Sequence, residues 1–159
     1  MSAVERADLD LFQFITTVVG LLPDGSLGKD VCGTPVVLSC HILVRALVRV
    51  IRKMPEFKAH APRVVDGYFH PNFQHSWLQT ASGNVIDVYP VGILGGPLYV
   101  NSIHCRDFKL KWVAGMRVRT SYCGLYLRTS TERISEGRFS QPWFKQAVSL
   151  TARRLDVLV

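Results

Sequence analysis

No stretch of about 18 uncharged apolar residues occurs in this chain of 159, which argues against a transmembrane helix. The first residues carry Glu5, Asp8 and Asp10 where a secretory leader would begin with basic side chains, so no cleaved signal peptide is expected. Four cysteines (Cys32, Cys40, Cys105, Cys123) are too few for a disulfide scaffold and show no CxxC spacing. Reduced thiols in the cytoplasm are expected, or export without a cleaved leader into another reducing compartment. No GxxxxGK[ST] cradle and no GxGxxG opening a helix is present, so nothing points to a nucleotide cofactor. Low-complexity segments are also missing.

What is present is a globular composition, 48% hydrophobic and 19% charged. At 17.8 kDa the chain fits one domain over residues 1–159. Its net charge of +7 is unevenly placed. Residues 1–105 are balanced, whereas residues 106–159 hold eleven Lys/Arg against four Asp/Glu. A basic C-terminal third matches an acidic partner, an acidic protein face ahead of nucleic acid, or is simply a solvated face.

Ser2-Ala3-Val4-Glu5 is a capping box, and Leu9, Phe12, Ile15, Thr16 and Val19 follow at helical spacing, which predicts a helix to about Gly20. A second helix is predicted over residues 36–54. Its stripe is Val37, Cys40, His41, Val44, Leu47, Val48 and Ile51, with Arg45, Arg49, Arg52 and Lys53 turned to water. Pro35 would then occupy the first turn, where its missing N–H costs nothing. On this reading Cys32 stands at the helix N-terminus, where amides and the dipole acidify a thiol. Cys40 falls mid-helix as a small buried hydrophobe, with no free amides to activate it. Residues 63–69 read as a strand after Ala61-Pro62, Leu98-Tyr99-Val100 as another, and a last helix begins near Ser140.

The centre of the chain is His75-Ser76-Trp77-Leu78-Gln79, then Ala81-Ser82-Gly83-Asn84, then Val85-Ile86-Asp87-Val88-Tyr89. This is a β-hairpin pattern. If it closes symmetrically about Ala81, His75 lies directly opposite Asp87, within reach of an imidazole–carboxylate hydrogen bond. An Asp that fixes a His is the orienting half of a catalytic triad.

A Cys ahead of a long helix, a β-run ending in Gly67-Tyr68, His75-Ser76-Trp77 on a strand and Ile86-Asp87 on the next resembles the transglutaminase-like branch of the papain-like cysteine enzymes. The resemblance covers residues 28–92. It implies an α+β domain with a papain-like core, N-terminal helices packed on an antiparallel sheet, and the Cys at a helix N-terminus. It also implies Cys32 as nucleophile, His75 as base and Asp87 as orienter, with no cofactor and no metal. Trp77, Asn72 and Gln74, around His75, are expected to contact substrate.

The reaction so implied is thiolate attack on a protein or peptide carboxamide, by a hydrolase, deamidase or acyltransferase. Two other readings stand beside it. One is a non-catalytic module that docks on an acidic partner through the basic third. The other is a metal site drawn from Cys32, His70, His75 and His104, with Asp87 behind His75 as its outer partner.

Overall fold

The computed structural model describes residues 2–22, 26–29, 35–60, 62–69, 73–88, 97–102, 109–113, 116–120, 127–130 and 139–159. Helix α1 (Ala3–Gly20) starts at the capping box: Ser2 Oγ accepts from the Glu5 N–H at 3.2 Å, and the Glu5 carboxylate accepts from the Ser2 N–H at 2.7 Å. Strands β1 (Ser26–Lys29) and β2 (Pro35–Val37) pair antiparallel. Helix α2 (Cys40–Ile51) follows, then a 3-10 turn over Pro55–His60.

The remaining strands are β3 (Arg63–Phe69), β4 (Phe73–Gln79), β5 (Val85–Asp87), β6 (Leu98–Val100), β7 (Lys109–Val113), β8 (Met116–Thr120) and β9 (Leu127–Ser130). They form one antiparallel sheet in the order β6-β5-β4-β3-β9-β8-β7. Helix α3 (Pro142–Leu158) closes the chain, with Pro142 in its first turn. The fold is α+β. Among the described residues no helix is long and apolar enough to cross a membrane.

The second helix corrects the sequence reading. It starts at Cys40, not near Val36, because Pro35 and the β-branched pair Val36-Val37 take up an extended strand instead of a first turn. Ser39 is the cap: its backbone is extended, and its side chain accepts from the Ile42 N–H at 3.3 Å. From there α2 buries nine of its twelve residues, so it is held by packing on almost every side. Truncating a fully buried member such as Leu47 to Ala would cost about 2–5 kcal/mol.

Strand alternation divides the sheet into two faces. On one, Leu78 and Ile86 join the apolar residues of α1, α2 and α3 in a single buried cluster. On the other, Trp77 and Val85 pack with Val65 and Val100. The β4–β5 hairpin is buried on both faces at its base, and Ile86 and Leu78 are fully enclosed.

The hairpin register also differs from the symmetric closure. Leu78 pairs with Ile86 and Gln79 with Val85, so the hairpin centres on Ser82 rather than Ala81. The loop is Ala81-Ser82-Gly83: the Thr80 N–H donates to the Asn84 carbonyl at 2.9 Å, and the Gly83 N–H to the Thr80 carbonyl at 2.9 Å. Gly83 sits at φ 86°, the left-handed position that such three-residue loops reserve for glycine. In the continued register Asp87 stands opposite Trp77, two residues from His75 on the same face.

Candidate active site

Adjacent residues of α2 engage adjacent residues of β4. Cys40, the first residue of the helix, lies within electrostatic reach of His75; His41, the second, places Nδ1 2.6 Å from Ser76 Oγ. His75 and Ser76 point to opposite sides of their strand, and the His41–Ser76 contact fastens the start of the helix to it.

His75 is fully buried, and its Nε2 lies 2.8 Å from Asp87 Oδ2. The diagonal offset between the two is within reach of side chains this long. Asp87, also buried, can only accept, so it takes the Nε2–H and leaves Nδ1 as the basic nitrogen of His75. Across β4 on the other side, Gly67 stands directly opposite His75 and puts no side chain beside the ring. Trp77 stacks on it from within the apolar cluster, ring centroids 6.0 Å apart.

Cys40 is half-buried. Burial pushes its thiol up, but hydrogen bonds from His41 and His75, together with their charges, outweigh this and bring it down from 9.0 to about 6. Burial pushes the His75 imidazole down, while hydrogen bonds to Asp87 and Cys40 and the charges of both raise it from 6.5 to about 9. The lowered thiol and the raised imidazole both favour a thiolate–imidazolium pair. Ser39 takes the Ile42 N–H through its side chain and the Leu43 N–H through its carbonyl. Helix geometry leaves the Cys40 and His41 amides directed out of the first turn.

A second polar network lies behind His41. Ser76 and Asp66 are directly opposed on β4 and β3, and the Ser76 hydroxyl donates to Asp66 Oδ1. Arg45 Nη2 donates to Asp66 Oδ2 at 2.7 Å, and Arg45 Nη1 lies 3.4 Å from Ser76 Oγ. The Arg45 guanidinium also covers the Phe139 ring, 4.0 Å from its centroid. Arg45 is therefore a member of the site's supporting network, not the solvated charge its helix position predicts.

The hairpin that carries Asp87 is tied to α1 by a buried carboxylate. Asp8 Oδ2 accepts from Thr80 Oγ1 at 2.8 Å and from Asn84 Nδ2 at 2.6 Å, one residue on each side of the loop. Its other oxygen is 3.5 Å from His60 Nδ1. Asn84 Oδ1 in turn accepts from the Ser102 N–H at 2.7 Å.

Of the residues singled out in the sequence, His75 and Asp87 are brought together, Trp77 is buried behind the imidazole, and Gln74 is exposed one residue before it. Cys32 and Asn72, like His70 and His104, lie outside the described residues. Cys40, His41, Asp66, Arg45 and Asp8 were not picked from the sequence as site residues. For Cys40 the signal was Ser39: a capping residue directly before a run with helical periodicity marks a start. Among the described residues no group of three or more His, Cys, Asp or Glu side chains is placed to hold a metal ion. Comparison of the chain with protein-family models, curated proteins and solved structures gives no match.

Proposed function

We propose that this protein is a cysteine-dependent amide- or acyl-transfer enzyme of the transglutaminase-like, papain-like class, with Cys40 as nucleophile, His75 as acid and base, and Asp87 as orienter. The observation that carries the reading is the buried His75–Asp87 pair at 2.8 Å, with a thiol at a capped helix start within electrostatic reach of the imidazole. Its order along the sequence, Cys then His then Asp, is the order the resemblance implies for the nucleophile, base and orienter.

In the resting site the thiol proton is on His75 and the sulfur is a thiolate. The sulfur attacks the carbonyl carbon of a carboxamide or peptide, forming a C–S bond, and the carbonyl oxygen takes up the negative charge. The Cys40 and His41 amides face that oxygen. His75 Nδ1–H then protonates the leaving nitrogen as the C–N bond breaks, and a thioester on Cys40 remains. The now neutral Nδ1 takes a proton from water or from an acceptor amine, whose oxygen or nitrogen attacks the thioester carbon. Release of the thiolate restores the ion pair. Throughout, Asp87 holds Nε2–H and stabilises the imidazolium.

The positive charge of residues 106–159 favours an acidic protein or peptide as the carrier of the carboxamide. A peptide-based acyl electrophile tests the nucleophile. Intact-mass analysis is expected to show one adduct per chain, localised by peptide mapping to Cys40 and lost in Cys40→Ala. An adduct that persists in Cys40→Ala, or that maps to Cys32, overturns the assignment.

A further inference from the structure

Helix α2 is pinned to the sheet at two points one turn apart. His41 and Arg45 are four residues apart and so share one side of the helix. Opposite them, Ser76 on β4 and Asp66 on β3 are directly paired across the strands. His41 Nδ1 lies 2.6 Å from Ser76 Oγ, and Arg45 Nη2 donates to Asp66 Oδ2 at 2.7 Å. The Ser76 hydroxyl joins the two anchors by donating to Asp66 Oδ1. A single contact would let the first turn pivot about it. Two contacts a turn apart fix both its position along the strand and its rotation.

Arg45 closes this frame. Its Nη1 donates to the His41 carbonyl at 3.2 Å and to Ser76 Oγ at 3.4 Å, while Nη2 holds Asp66. One planar guanidinium thus reaches the helix start, β4 and β3 together, which a point charge on a flexible stem cannot do. The ring of Phe139 covers it at 4.0 Å, and that of Phe144 on α3 lies at 5.6 Å. The side chains of Arg45 and Asp66 are 20% and 28% exposed, so solvent screens the charge–charge energy of the pair. What the convergence of partners on Arg45 supplies is placement.

Valence gives the frame one hydrogen-bond pattern. The Asp66 carboxylate only accepts, and the single Ser76 O–H is spent on it. Ser76 Oγ is left to accept, so His41 donates from Nδ1. The His41 ring is a fixed strut, 4% exposed, with Phe139 5.3 Å away. The consequence falls on Cys40, which is joined to His41 by one peptide bond and offset from it by about 100° around the helix. Where the frame sets His41 against Ser76, it sets Cys40 relative to the preceding residue of β4, His75.

We propose that Arg45 is a positioning residue, whose fork through Asp66, Ser76 and the His41 carbonyl holds the first turn of α2 in the rotation that sets Cys40 before His75. This rests on the reading of Cys40 as nucleophile and His75 as its base. Misplacement by about 1 Å can cost about 10²-fold in rate, so a residue that touches no reacting atom still governs the site.

The experiment is the pH profile of iodoacetamide alkylation of Cys40, read by peptide mapping, with thermal melts alongside. The proteins are the parent, Arg45→Lys, the double variant Arg45→Met with Asp66→Asn, and Ser76→Ala. Arg45→Lys keeps the charge against Asp66 and loses the fork. The double variant removes both charges and keeps an apolar stem beside Phe139. Each variant is expected to displace the acid limb upwards, towards the ordinary thiol value of about 8.5, slowing alkylation at pH 6 by about tenfold per pH unit of displacement. A role in stability alone would lower the melting temperature and leave the limb of the folded protein where it is. A parent-like limb in Arg45→Lys or in the double variant overturns the proposal, since charge or packing would then suffice. Ser76→Ala leaves the Arg45–Asp66 pair in place and serves where an Arg45 variant does not fold; a parent-like limb there overturns the proposal as well. A parent protein whose own limb lies near 8.5 overturns the nucleophile itself, a result no variant can mimic.

Discussion

His75 Nε2 and Asp87 Oδ2 meet at 2.8 Å across a diagonal of the β4–β5 hairpin, not between directly opposed residues. The residue opposite Asp87 is Trp77, whose indole stacks beside the imidazole. A three-residue loop ending in Gly83 sets this offset. The offset leans the imidazole along the sheet towards Asp87 and keeps the contact in apolar surroundings. There a charge-assisted hydrogen bond is stronger than in water.

On the proposed mechanism Asp87 acts through His75, so Asp87→Asn is expected to keep the fold and lose reactivity. The amide is nearly isosteric, but it cannot stabilise the imidazolium and can drive His75 into the wrong tautomer. Turnover should fall by about 10²–10⁴-fold, and Cys40 should alkylate more slowly at neutral pH. Circular dichroism and alkylation rates measured on the same samples check this. Unchanged thiol reactivity with a large drop in melting temperature would make Asp87 a structural residue only.

On the proposed mechanism, with Cys40 as nucleophile and His75 as acid, the opposite shifts of the two groups give the direction of each limb of the pH profile. The thiol is lowered to about 6, so the nucleophile is lost as pH falls through 6. The imidazole is raised to about 9, so the proton for the leaving nitrogen is lost as pH rises through 9. Activity (kcat/KM) is therefore expected to be bell-shaped, with apparent limbs near these values belonging to the pair as a whole. Alkylation, which needs only the thiolate, should keep the acid limb and show no fall near pH 9. A rise delayed to about 8.5 would mean an unpaired thiol.

Local chemistry made parts of this structure legible in the sequence. The Ser2–Glu5 capping box, the run Arg63–Phe69 after Pro62, the strand Leu98–Val100 and the start of the last helix at Pro142 all have strong local signals, and the structure has each there. The α+β class follows from their order. The start of α2 reads differently in the sequence because two start signals compete before it. Pro35 marks a possible first turn, and Ser39 a cap four residues later; the strand pairing of Pro35–Val37 with β1 decides for Ser39. That pairing is tertiary, and no local pattern encodes it. The hairpin register turned on whether Asn84 joins the loop or the return strand, which its contacts with Asp8 and Ser102 decide. Arg45 reads as solvated on its helix because its partner Asp66 lies on a strand 21 residues away.

Asp8 belongs to the same class of long-range partner, and it yields the clearest stability prediction. In the sequence it is one of three acidic residues near the start; in the fold it is 0% exposed and receives both Thr80 and Asn84. Asp8→Ala strands a hydroxyl and an amide inside the protein and leaves a void beside them. The cost should be about 3 kcal/mol, or a fall in melting temperature of about 6–12 °C for a chain of this length. Asp8→Asn keeps an acceptor oxygen towards the two donors and should lose less. The loop would also relax, so β5 would be held less firmly and Asp87 would meet His75 in only part of the population. Cys40 alkylation should therefore slow in Asp8→Ala, though by less than in Asp87→Asn. Thermal melts and alkylation rates on the three proteins test both halves. Equal melting temperatures for Asp8→Ala and the parent would show that the network contributes nothing net. A lowered melting temperature with unchanged alkylation would show that the hairpin keeps its register without the tie to α1.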